Sequence, residues 1–253
     1  MKEIQRTQIQ KFKLHALHIA GLLFLVVLIG SVGVGYLVQK NPFIAGIDAY
    51  LYHLINGSPH PDWLNALVNP FNFNFLPSLP GHLPSYLYIM IGLTLLYVGI
   101  FKRSIFVWAV FCFVVGTLVA QVITAIDWHF VYRDRPFLSL PGNVDQISQD
   151  IWRNYSSFPS GHSRETALYA TMIASFIPQL KYLMFFFAIF IAFSRVYLGA
   201  HYPTDVIAGV IIGFIAARVA LVIAREIQII LKNRKGESHE QKPTSAPTDI
   251  HKS

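Results

Sequence analysis

Two histidines, two arginines and a carboxylate stand in two short stretches of this chain, at spacings that suit chemistry on a phosphate ester. The first stretch is Phe158-Pro159-Ser160-Gly161-His162-Ser163-Arg164. The second is Ser194-Arg195-Val196-Tyr197-Leu198-Gly199-Ala200-His201-Tyr202-Pro203-Thr204-Asp205. Each adjoins a long apolar run, where ionisable side chains are costly and a functional role is the default reading. Phosphoryl transfer depends mainly on placement and charge stabilisation, for which arginine forks are suited.

The elements that must position these residues are legible around them. Pro159 and Gly161 favour a tight turn, and Ser160 and Ser163 are candidate caps of the helix that follows. A helix N-terminus presents unpaired N–H groups and partial positive charge, which suit a phosphate, with His162 at its edge. In the second stretch Gly199 suits the end of the helix that bears Arg195. His201 falls in the loop, and Pro203 favours the first turn of the next helix, with Asp205 just inside it. Asp205 is then expected to accept the His201 Nδ1–H, fixing the tautomer and leaving Nε2 as nucleophile or base. A lone Ser-Gly-His reads as an ordinary interfacial side chain, and a lone Asp205 as a helix cap. Their occurrence together with Arg135 at one membrane depth favours chemistry.

Composition sets the environment. Of 253 residues, 54% are hydrophobic and only 13% charged, against about 25% charged in a soluble domain. The apolar residues fall in blocks, which indicates a polytopic membrane protein. The net charge of +7 is therefore read by position and not as a nucleic-acid signal. Cys112 is the single cysteine and lies in an apolar run, so it forms no intramolecular disulfide and reads as a small buried residue.

Six spans are expected, over residues 17–38, 85–101, 105–126, 165–178, 182–198 and 204–223. The expected fold class is all-α, a six-transmembrane-helix bundle with an external amphipathic segment between spans one and two. The division is a basic cytoplasmic N-terminus (1–16), a six-span domain (17–231) and a disordered cytoplasmic tail (232–253). Within the domain lie the external segment (39–84) and the motif region (128–205). Lys2, Arg6, Lys11 and Lys13 precede the first apolar run as in a signal peptide. That run is long enough to span and no Ala-x-Ala site follows, so it reads as a retained span.

Lys102, Arg103, Lys181 and the tail residues Arg225, Lys232, Arg234, Lys235, Lys242 and Lys252 place both termini inside by the positive-inside rule. The external basic residues are Lys40, Arg133, Arg135, Arg153, Arg164 and Arg195, nearly all in or beside the motif region. The external segment holds two short amphipathic helices, 45–55 and 62–68, whose starts are marked by Pro42 and Pro61-Asp62. The alternating run Phe71-Asn72-Phe73-Asn74-Phe75 reads equally as an interfacial rim or as packing over the helix ends.

These motifs resemble the type-2 phosphatidic acid phosphatase and vanadium haloperoxidase superfamily, in its membrane lipid phosphatase branch. That family shows Lys-x6-Arg-Pro, then Pro-Ser-Gly-His, then Ser-Arg-x5-His-x3-Asp. The second is complete as Pro159-Ser160-Gly161-His162 and the third as Ser194-Arg195, His201 and Asp205. The first is partial: Arg135-Pro136 match, but Trp128 holds the lysine position.

The resemblance implies that His201 attacks phosphorus, Asp205 orients it and His162 protonates the leaving lipid oxygen. Arg135, Arg195, Ser160 and the Gly161 backbone would hold the phosphoryl oxygens. Arg164 is the favoured substitute for the missing lysine, with Arg133 and His129 as the others. The two histidines would start in opposite protonation states, His201 neutral and His162 charged. No cofactor is implied, and no metal-ligand cluster is apparent in the sequence.

The implied activity is hydrolysis of a lipid phosphomonoester or diphosphate at the outer face of a bacterial cell (inner) membrane. Undecaprenyl diphosphate, phosphatidic acid and phosphatidylglycerol phosphate are the candidate substrates. The alternatives are a phosphotransferase using the same phosphohistidine, or a non-catalytic lipid-binding or transport protein. The expected partners are the lipid substrate and the bilayer, with no nucleic acid.

Overall fold

The computed structural model describes residues 2–57, 59–72, 84–140 and 155–240, and these are helical or loop, with no strand among the described residues. Helix α1 (Lys2–Lys40) leads into α2 (Pro42–Asn56) and α3 (Asp62–Val68). Asn41 caps α2, its side chain accepting from the backbone N–H of Phe43 at 3.0 Å, and Pro42 fills the first turn where no donor is needed. Helix α4 (Ser85–Phe101) turns through Lys102 into α5 (Phe106–Phe130), and the short α6 (Pro136–Ser139) follows. The core is completed by α7 (Gly161–Phe176), α8 (Lys181–Tyr197) and α9 (Pro203–Glu240).

Among the described residues, four segments are long and apolar enough to cross a membrane: His18–Lys40, Arg103–Phe130, Pro178–Tyr197 and Pro203–Asn233. Tyr86–Phe101 is apolar but shorter. The α7 helix has only 16 residues and starts with Arg164 and Glu165 near its first turn. It sits inside the bundle: Leu168, Tyr169, Met172 and Ile173 are buried against Cys112 and Phe113 of α5 and Ala216, Ala217 and Ala220 of α9. A helix enclosed by neighbours needs no lipid-facing surface, so its sequence is mixed rather than uniformly apolar. Large apolar residues such as Leu22, Ile29, Val107 and Phe185 are instead exposed on the outer helices.

Small residues bring α7 and α9 into backbone contact. A Cβ on Gly209 would lie 2.5 Å from the Ser160 carbonyl oxygen, and one on Gly213 would lie 1.9 Å from the Arg164 carbonyl oxygen. The Gly209–Gly213 spacing is the small-xxx-small pattern of closely approaching membrane helices. At the opposite end of α7, Lys102 donates from Nζ to the Phe176 carbonyl at 2.7 Å, a cation on a helix C-terminus. Phe71 contacts the rings of Tyr86, Phe187 and Phe190 edge-on, at centroid distances of 5.5 to 5.6 Å. For Phe71 the packing role therefore holds, while Phe73 and Phe75, like Arg153, lie outside the described residues. The polar stretch after Lys232 continues α9 as helix to Glu240, and residues 241–253 lie outside the described residues.

Candidate active site

The end of α8 places His201. Gly199 has φ +75°, and its N–H bonds the Val196 carbonyl at 3.0 Å while the Ala200 N–H bonds the Arg195 carbonyl at 3.0 Å. This is the paired 5→2 and 6→1 closure of a Schellman motif, with glycine in the left-handed position it favours. The Arg195 carbonyl thus closes the loop that presents His201, and the Arg195 side chain is buried beside it. Helix α9 then starts at Pro203, and Asp205 reaches back to the Tyr202 N–H at 3.0 Å, half of a capping box. The Ser160 N–H donates to the Asp205 carbonyl at 3.0 Å, joining the two motif stretches.

His201 is buried with both ring nitrogens engaged. Nδ1 lies 2.8 Å from the Ser157 carbonyl oxygen, and Nε2 lies 3.2 Å from Arg135 Nη1. A carbonyl only accepts and a guanidinium only donates, so Nδ1 carries the proton and Nε2 holds the lone pair. The expected direct bond from Nδ1 to Asp205 is not formed, because Asp205 Oδ2 stands 3.9 Å away. Asp205 acts one residue removed: it accepts from Ser157 Oγ at 2.6 Å, and the Ser157 carbonyl takes the imidazole proton. Burial, with the Arg135 and His162 charges next in weight, holds His201 well below its ordinary value of 6.5, so the ring is neutral at neutral pH.

Arg135 is fixed by backbone carbonyls. Nε donates to Tyr155 at 3.1 Å, Nη1 to Ala200 at 3.0 Å and Nη2 to Ser156 at 3.4 Å. Burial pulls Arg135 down to about 10, which leaves it charged at neutral pH. The Arg195 charge reaches both Arg135 and His201. The structure therefore brings Arg135, Arg195, His162 and His201 together.

Ser160 precedes α7, but its side chain makes no cap; its hydroxyl accepts from Ser163 Oγ at 3.0 Å. Its carbonyl is used instead, accepting the Arg164 N–H at 3.0 Å. Gly161 opens the helix, and a Cβ there would meet nothing within 4 Å, so the first turn borders open space. Arg164 points elsewhere. Its guanidinium bonds Thr124 Oγ1 on α5 and Glu165 Oε1 at 2.7 Å, which argues against its replacing the missing lysine. Arg133 is also engaged, with Asp205 at 2.6 Å and Asp48 at 2.5 Å. Trp128, in the lysine position, is half exposed and packs at a tilt on Tyr155 with ring centroids 6.4 Å apart.

Sequence reasoning missed Ser157 and Asp48. Ser157 lies just before the first motif stretch, and its role depends on a carbonyl that no side-chain pattern reports. Asp48 was readable only as the polar member of an amphipathic helix.

A family model described as PAP2 superfamily matches residues 109–228, which hold Arg135, His162, Arg195, His201 and Asp205. This stretch, just under half of the chain, matches the PAP2 superfamily. Among curated relatives, lipid A 1-phosphatase of Rhizobium johnstonii is 39% identical over 72 residues, covering 28% of this chain and 30% of that protein. Undecaprenyl-diphosphatase of Sulfolobus acidocaldarius is 28% identical over 166 residues, covering 63% of this chain and 78% of that protein. Against other curated relatives the chain spans 31% to 60% of their length. The solved PAP2 type phosphatidylglycerolphosphate phosphatase from Bacillus subtilis is 20% identical with a TM-score of 0.52, covering 91% of this chain and 99% of that one. At that identity the likeness is one of fold.

Proposed function

We propose that this protein is an integral membrane lipid phosphatase that forms a phosphohistidine on His201. The observation that carries the reading is the His201 geometry: a neutral ring, its proton committed to Ser157 on one side, its Nε2 lone pair held against the Arg135 fork on the other. An imidazole so fixed is a nucleophile aimed at whatever anion the guanidinium binds.

The steps follow from these positions. A phosphoryl group engages Arg135 and Arg195, drawing Arg135 off Nε2, and its remaining oxygens meet Ser160 and the first N–H groups of α7. Nε2 forms a bond to phosphorus as the bond to the lipid oxygen breaks, and His162 gives that oxygen a proton. Ser157 and Asp205 hold the ring and stabilise its developing charge. Water then attacks the phosphohistidine, His162 takes a proton from it, and the N–P bond breaks to release phosphate. Each negative charge that develops faces an arginine or a helix N-terminus.

In this reading α4 and α7 join the four longer helices to make six spans, and the internal N-terminus puts the site at the outer face. The names of the curated relatives, a lipid A 1-phosphatase and an undecaprenyl-diphosphatase, support a lipid-linked phosphate or diphosphate. Undecaprenyl diphosphate, phosphatidic acid and phosphatidylglycerol phosphate are the substrates to compare. Purified protein in detergent micelles is incubated with each lipid and the released phosphate measured. Release from at least one is expected. Release from none, where a control phosphatase works, overturns the assignment.

A further inference from the structure

A buried ionic cluster outside the motif residues ties the external helix α2 to the nucleophile. Asp48 lies on α2, far in sequence from the motifs, and is fully buried. Its Oδ2 accepts from Arg133 Nη2 at 2.5 Å and from Thr204 Oγ1 at 2.5 Å, and its Oδ1 accepts the Thr204 backbone N–H at 3.0 Å. Thr204 is in the first turn of α9, so a carboxylate from another helix caps the element that carries Asp205. Arg133 completes the link. Its Nη1 bonds Asp205 Oδ1 at 2.6 Å and Thr204 Oγ1 at 2.9 Å, and its guanidinium lies 3.8 Å over the Tyr202 ring. The Arg133 carbonyl also accepts the Ser157 N–H at 2.8 Å. Every neighbour of the His201 ring on this side, Ser157, Tyr202 and Asp205, is thus held by Arg133.

We propose that Asp48 and Arg133 are positioning residues that set the orientation and charge environment of the His201–Ser157–Asp205 unit. The proposal rests on His201 as the nucleophile. One guanidinium against two carboxylates leaves the cluster with one net negative charge beside a neutral imidazole. Burial works against the Arg133 charge, but Asp205 and Asp48 outweigh it and raise Arg133 above its ordinary value. Arg133 is therefore a fixed cation rather than a titrating group. An exposed ion pair would do neither job, since exposed pairs are screened and mobile; this one is buried between α2, α9 and the loop after α5.

Charge and geometry give separable consequences. The charged groups around His201 are Arg135 from the loop after α5, His162 from α7, Arg195 from α8 and Asp205 from α9. Removing the Asp48 charge makes these surroundings more positive, so His201 protonates at lower pH. Removing the Arg133 charge makes them more negative, so it protonates at higher pH. A residue needed only for folding would move neither limb.

The test uses the full-length protein in micelles, with Asp48→Asn, Arg133→Gln and Arg133→Lys, on whichever lipid phosphate the unsubstituted protein hydrolyses. The kcat, KM and acid limb of kcat/KM are measured, with circular dichroism confirming helix content. Asp48→Asn and Arg133→Gln are expected to lower kcat about 10²-fold with KM within about twofold. Their acid limbs should move in opposite directions, down for Asp48→Asn and up for Arg133→Gln. Arg133→Lys keeps the charge and should leave the limb in place while lowering kcat. Folded variants with unchanged kcat, or with limbs moving the same way, overturn the proposal. If the unsubstituted protein hydrolyses no lipid phosphate, the phosphatase assignment fails first, which is a different result.

Discussion

Gly213→Ala is the most demanding probe of how the bundle positions the site. The new Cβ would lie 1.9 Å from the Arg164 carbonyl oxygen and 2.8 Å from its carbon. Ordinary contact starts near 3.4 Å, so the space is short by about 1.5 Å. Both atoms belong to the α7 backbone, so no side chain can rotate away and the two helices must separate. Ser160 stands at the N-terminus of α7 and His162 rides in its first turn, while Asp205 rides on α9 and His201 on the loop before it. Gly209→Ala is short by about 0.9 Å against the Ser160 carbonyl, at the site itself.

Overpacking of this kind costs about 1–3 kcal/mol, and a misplacement of about 1 Å at a reacting centre costs roughly 10²-fold in rate. Variants purified in detergent are assayed for phosphate release and for their thermal unfolding midpoint. Gly213→Ala is expected to lose about 10²-fold in kcat and roughly 3–10 °C in Tm, and Gly209→Ala to lose less Tm. Gly30→Ala, whose Cβ would meet nothing within 4 Å, serves as the control and should match the parent. Parental kcat and Tm in Gly213→Ala would refute the backbone-contact account.

Other outcomes follow from single contacts. The acid limb of kcat/KM should lie below the ordinary histidine value of 6.5, since His201 must be neutral and its folded value is lowered; a limb above 6.5 contradicts this. The same shift predicts that His201 makes no pH-dependent demand on stability above 6.5, where it is neutral in both states. As pH falls below 6.5 toward the lowered folded value, the unfolded chain binds its proton first and stability is lost, which a Tm series across that window checks. Arg135→Lys keeps the charge but not the fork to three carbonyls, so kcat should drop by about 10²-fold while the protein stays folded. Arg164→Gln should act on stability, by about 3–5 kcal/mol for a broken buried pair, with KM unchanged within about twofold; a raised KM without loss of Tm would restore Arg164 as a phosphate ligand.

The motifs made much of the site legible, and the reasons for the rest are physical. Gly199 was readable because only a few residues tolerate the left-handed cap, and the closure it forms is the one its position implies. The helices α4, α5 and α8 were readable from unbroken apolar runs. Their neighbour α7 was recognisable only as short and weakly apolar, because burial against other helices rather than lipid sets its composition. The partner of His201 Nδ1 was not readable, since the acceptor is a backbone carbonyl contributed by Ser157, 44 residues earlier in the chain. Asp48 and Arg164 show opposite relations between motif and contact. Asp48 carries no motif and yet bears on α9, whereas Arg164 adjoins a motif and yet turns to α5. Proximity in sequence to a motif is a weak guide where a helix can aim successive side chains around its circumference.

The central claim is that His201 carries the phosphoryl group. Protein is mixed with a lipid phosphate labelled at phosphorus, quenched within one turnover, and examined for acid-labile, base-stable label on the chain. The account predicts label on the parent and none on His201→Ala. Label that persists in folded His201→Ala, or a parent that releases phosphate without ever carrying label, would contradict it.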